Sequence, residues 1–106
     1  MSHRFKKLSQ AVLVSLVAVS PAPTFAAGNP AAAADLLGRC VACHGADGIG
    51  KAPQYPNLRG QKAAYLEKSL KGFRSGERKD ANMSAMAKGL TDAEIADLAA
   101  YFSTLD

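Results

Sequence analysis

The sequence predicts an all-α domain. Two segments repeat apolar residues at helical spacing, a third opens with a helix-capping signature, and no run alternates apolar and polar residues as a strand would. The 106 residues, 48% of them hydrophobic, suit one small folded domain.

The first 26 residues stand apart. A basic run, His3-Arg4-Phe5-Lys6-Lys7, is followed by twelve mainly apolar residues from Leu8 to Val19, then Pro21, Pro23 and Thr24-Phe25-Ala26. That order predicts a secretory signal peptide over residues 1–26, cleaved after Ala26. The apolar stretch is shorter than the roughly 20 residues a spanning helix needs. The mature chain then covers residues 27–106, periplasmic and with no stable membrane span. Arg4, Lys6 and Lys7 leave with the leader, so 13 basic residues become 10, against 9 acids. A net charge this close to zero gives no footprint for nucleic acid.

In the mature chain Asn29 is a candidate N-cap and Pro30 the first helical residue. The alanine-rich run that follows predicts a first helix leading into Cys40. Residues 45–60 hold Gly45, Gly48, Gly50, Pro53, Pro56 and Gly60, which predicts an ordered loop. Residues 61–75 predict a second helix, with Ala64, Tyr65, Leu66, Leu70 and Phe73 mainly on one side and Gly76 closing it. A second loop runs to Leu90. Thr91-Asp92-Ala93-Glu94 is a capping box that opens the last helix, whose apolar stripe is Ile95, Leu98, Phe102 and Leu105.

Both cysteines and one of the two histidines fall in Cys40-Val41-Ala42-Cys43-His44. A thioredoxin-like pair would follow a strand, and none precedes Cys40. Zinc needs three or four protein ligands, and the mature chain has no further cysteine or histidine. A carboxylate such as Asp47 would have to complete the set. A disulfide leaves His44 without a role. Covalent haem uses all three residues: Cys40 and Cys43, at i and i+3, face one way for two thioethers, and His44 turns its ring toward iron. It also enlarges the small core of an 80-residue chain.

At these residues the sequence resembles the class I c-type cytochromes, in particular the short bacterial members that occur alone or as halves of two-haem proteins. Four segments carry the likeness in order: Cys40-Val41-Ala42-Cys43-His44-Gly45; Tyr55-Pro56-Asn57-Leu58-Arg59-Gly60; a methionine-bearing loop; and Asp97-Leu98-Ala99-Ala100-Tyr101-Phe102. The resemblance implies N- and C-terminal helices that cross, with helices and loops wrapped around one haem c joined through two thioethers. It implies His44 and Met83 as iron ligands, with Met86 packing nearby. Pro56, twelve residues beyond His44, would accept the His44 Nδ1–H on its carbonyl. Leu58, Leu70 and Leu98 would line the haem crevice. Ala32 stands where many relatives carry glycine at the helix crossing. The 39-residue step from His44 to Met83 is shorter than in mitochondrial-type relatives.

A His/Met pair leaves iron no open position, and thioether sulfur favours the reduced state. The expected function is one-electron transfer between periplasmic or membrane oxidoreductases by a monomer whose partners are redox proteins. No catalytic constellation accompanies it, so no enzyme is expected. The alternatives are a permanent small subunit of a larger dehydrogenase, and a haem sensor or peroxidase-like protein with a labile sixth ligand. Basic residues gather in residues 59–79 and acids from Thr91 onward. A weakly charged haem edge lined by Ala52, Ala85 and Ala87 is the expected docking surface.

Overall fold

The computed structural model describes Lys7, residues 9–19 and residues 28–106. Residues 9–19 are exposed and without secondary structure. The expected cleavage point after Ala26 lies outside the described residues. The folded part consists of a 3-10 turn, Pro30–Ala33, and four helices: α1 Gly38–His44, α2 Ala63–Ser75, α3 Ala81–Ala87 and α4 Asp92–Ser103. No strand occurs among the described residues.

The expected first helix is in two pieces. Asn29 caps it as anticipated, its side chain accepting from the Ala31 amide at 3.0 Å, with Pro30 next. The bonds that follow are mostly i to i+3, as from the Ala32 amide to the Asn29 carbonyl and the Ala34 amide to the Ala31 carbonyl. Regular α geometry resumes only at Gly38. The intervening Ala34-Asp35-Leu36-Leu37 consists largely of good helix formers, so local propensity does not set the break.

Tertiary packing holds the 3-10 turn on α4 instead. The Gly28 α-carbon abuts the Ala96 carbonyl so closely that any Cβ would overlap it. The Asn29 amide donates to the Asp97 carboxylate at 2.8 Å. Ala33 is wholly buried at this crossing, whereas Ala32, the expected crossing residue, is exposed.

α2 starts two residues later than expected and ends at Ser75, with Gly76 in the left-handed conformation (φ 83°) that closes helices. Its inward stripe is Leu66, Leu70 and Phe73, at i, i+4 and i+7. Ala64 and Tyr65 fall outside that stripe and are exposed. α4 buries Ile95, Leu98, Ala99 and Phe102, and both halves of its capping box are made: Glu94 N–H to Thr91 Oγ1 at 3.2 Å and Thr91 N–H to Glu94 Oε1 at 3.0 Å. These bonds draw the Glu94 carboxyl below its usual pKa.

The expected second loop contains α3. Asp80 caps it, accepting from the Asn82 and Met83 amides at 3.0 and 2.8 Å. Met83 and Met86 are therefore helical residues.

Two apolar clusters result, one of Ala33, Phe73, Ala87, Leu90, Ile95 and Leu98, the other of Leu66, Ala99 and Phe102. Leu37, Cys40 and Tyr101 border both.

Candidate haem site

α1 carries the reactive residues at its C-terminal end. Cys40 and Cys43 are free, half-buried and one helical turn apart. Burial pushes the Cys40 thiol pKa up, against the opposing pull of Arg39. His44 is the last residue of α1 and, at 7% exposure, is buried. Gly45 follows with φ 78°, a conformation that L side chains avoid, and turns the chain away at once.

The His44 ring is held where the sequence anticipated. Its Nδ1 lies 2.8 Å from the Pro56 carbonyl oxygen. A carbonyl can only accept, so Nδ1 carries a proton and Nε2 is the ring nitrogen left for a metal. That is the state a metal-ligating histidine requires.

The loop that delivers Pro56 is tied down by backbone bonds. Lys51 N–H reaches the Cys43 carbonyl at 2.9 Å, and Leu58 and Arg59 N–H share the Gly48 carbonyl at 2.8 and 3.1 Å. Gly60 N–H bonds the Phe102 carbonyl at 3.0 Å, fixing the loop's far end to α4.

The two methionines have different surroundings. Met83 is half-buried and packs on the same apolar cluster as Cys40, while Met86 is 44% exposed. Leu98 is buried, and Leu58 and Leu70 pack against the clusters that Cys40 borders. Ala87 is wholly buried, so it cannot line a docking edge; Ala85 is exposed and Ala52 half-buried. Arg78 lies over the Phe73 ring, 4.6 Å from its centre.

Two residues given no site role from sequence also bond the loop. Tyr101 donates its hydroxyl to the Ala46 carbonyl at 2.6 Å, and Asn57 Oδ1 accepts from the Gly50 amide at 2.8 Å. Tyr101 belongs to a helical apolar pattern that conceals a polar tip. Asn57 had a signal, since asparagine among glycines and prolines commonly bonds nearby backbone.

Among the described residues no group of three or more His, Cys, Asp and Glu side chains is arranged to hold a metal ion, which leaves the zinc alternative without its ligands. Two thiols on one helical face, an imidazole whose Nδ1 is engaged by a carbonyl and a half-buried thioether are a donor set that fits haem.

Residues 26–106 match the family model described as cytochrome c. The chain belongs to the cytochrome c family.

Among its relatives, cytochrome c-554(548) of Halomonas halodenitrificans is 58% identical over 81 residues, covering 74% of this chain and 98% of that protein. The thiosulfate dehydrogenase electron acceptor of Thiomonas intermedia is 43% identical over 99 residues, covering 92% of this chain and 43% of that one. The crystal structure of reduced recombinant cytochrome c4 from Pseudomonas stutzeri superposes with a TM-score of 0.70 at 37% identity, covering 76% of this chain and 47% of the other. This cytochrome therefore spans nearly all of one relative and less than half of the other two. Its fold is the all-helical class I type, and it is a haem c electron-carrier domain with the haem attached covalently.

Proposed function

We propose that this cytochrome is an exported one-electron shuttle, with Cys40 and Cys43 as thioether residues, His44 and Met83 as axial ligands and Pro56 as the orienting acceptor. The observation that carries this reading is the bond from His44 Nδ1–H to the Pro56 carbonyl, 2.8 Å long. It fixes the tautomer and ring orientation, and leaves Nε2 for iron. Bound haem supplies reversible exchange of one electron between Fe(III) and Fe(II). The protein's part is to hold that iron with little rearrangement. α1 ends at the ligand, the glycine turn and the tied loop keep the acceptor in place, and Asp80 caps the helix that carries Met83, accepting from its amide.

Met83 rather than Met86 is assigned because it faces the cluster that Cys40 borders. A haem iron held by both His44 and Met83 would keep no open position for substrate, which supports a carrier over an enzyme. Export follows from the leader pattern of residues 1–26. The Thiomonas match extends to 92% of the chain, more than residues 27–106 alone, so the leader region shares in it. No helix among the described residues is long and apolar enough to cross a membrane. The partners are redox proteins, met by a monomer in the periplasm.

A haem stain after denaturing electrophoresis, with an intact mass, tests the covalent and processing assignments together. The expected mass is that of the chain from Ala27 plus one haem. Carbon monoxide added to the reduced protein tests the ligand set: rapid, complete binding at neutral pH would overturn the carrier reading. Purification from the native host separates a free shuttle from a dehydrogenase subunit, which would arrive with its larger partner.

A further inference from the structure

Three segments of the site close into a ring. His44 bonds Pro56 at 2.8 Å, Asn57 bonds Gly50 at 2.8 Å, and Lys51 bonds the Cys43 carbonyl at 2.9 Å. Each segment contributes two adjacent residues: 43 and 44, 56 and 57, 50 and 51. No single bond in such a ring can lengthen without pulling on the other two. Pro56 has no N–H of its own, so it cannot donate a backbone bond that would hold it directly. Its neighbours are held instead. Asn57 is pinned through its side chain, and on the other side the bare α-carbon of Gly50 sits against the Tyr55 carbonyl, where any Cβ would overlap the oxygen.

We infer that Asn57, with Gly50, is a clip that sets the length of the hydrogen bond between Pro56 and His44, and through it how strongly the imidazole donates to iron. The inference rests on the proposed reading of His44 as an axial ligand. Asn57 is a positioning residue, acting through Pro56. The chemistry is that of any metal-bound histidine whose far nitrogen is engaged: a firmly held acceptor makes the ring more basic and favours the oxidised metal. Releasing the clip weakens that donation and favours the reduced state.

The test compares Asn57→Ala and Asn57→Asp holoproteins, with ¹⁵N-labelled histidine to follow the His44 Nδ1–H. In Asn57→Ala this proton exchanges about tenfold faster, as loss of one hydrogen bond allows, and the redox equilibrium against a fixed partner moves several-fold, roughly threefold to tenfold, toward reduction. Asn57→Asp keeps an acceptor oxygen and restores slow exchange. Wild-type exchange and equilibrium in Asn57→Ala overturn the clip, as does exchange in Asn57→Asp as fast as in Asn57→Ala. Should Asn57→Ala fail to load haem, the wild-type protein still decides: the Gly50 amide and the His44 Nδ1–H open together. Gly50 opening about tenfold more often, a difference of some 1.4 kcal/mol by RT ln 10, overturns the inference. Hyperfine-shifted His44 ring protons in the oxidised wild type keep the two claims apart. Their absence removes the ligand assignment, and their presence without response in Asn57→Ala removes only the clip.

Discussion

Arg74, in the last turn of α2, bonds the Asp92 carboxylate at 2.6 Å where α4 begins, and its other terminal nitrogen reaches the Leu90 carbonyl at 3.0 Å. The bond to Arg74, and then its charge, holds the Asp92 carboxyl below the usual aspartate range. A carboxyl lowered on folding adds stability above its unfolded pKa, about 3.9 for aspartate, and loses it as pH falls through the folded value. Urea midpoints measured from pH 6 to pH 3 are therefore expected to fall less steeply for Asp92→Asn than for the wild type. The difference shrinks in high salt because the pair is exposed. Parallel curves would show that the bridge contributes nothing.

If Met83 is the sixth ligand as proposed, replacing it by Ala opens that position. The oxidised protein should lose its long-wavelength methionine–iron band, the reduced protein should bind carbon monoxide, and the potential should fall. Met86→Ala leaves all three unchanged, since Met86 is 44% exposed. Exchange of the two phenotypes would reassign the ligand.

Tyr101→Phe keeps the ring and deletes the donor to Ala46. One such bond is worth about 1 kcal/mol, which for a domain of this size lowers the thermal midpoint by about 5 °C. The haem spectrum should stay as it was. An unchanged midpoint would mean that solvent replaces the hydroxyl at no cost.

The basic and acidic stretches are not separate poles, because Arg74 pairs with Asp92 across α2 and α4; within the basic stretch itself Lys71 lies 4.0 Å from Glu67. Stopped-flow oxidation by the natural partner should slow only modestly with added salt. A drop of roughly a hundredfold between low and physiological ionic strength, within the reach of steering, would make the basic stretch the docking site.

What the sequence made legible was local. Thr91 and Glu94 cap each other within one turn, His44 ends its helix beside a glycine, and the twelve-residue step to Pro56 has the anticipated bond at its end. α3 escaped because seven residues are two turns, too few for a 3.6-residue period to repeat. Its one signal was Asp80 before a run of good helix formers. The break after Ala33 and the Tyr101 bond escaped for another reason. Gly28 against Ala96, Asn29 with Asp97 and Tyr101 with Ala46 join residues far apart in the chain, and no local pattern records such pairings.

Only Ile95 and Leu98 are large side chains wholly enclosed by protein among the described residues. So sparse an oily interior leaves an unloaded chain exposed to proteases, which cut whatever fraction is open. A reversible ligand protects a protein in proportion to its free concentration. Thioethers do not dissociate on dilution, so protection here is granted once, at assembly, and never renegotiated. The number of surviving copies in a cell would then be limited by haem delivery as well as by polypeptide synthesis.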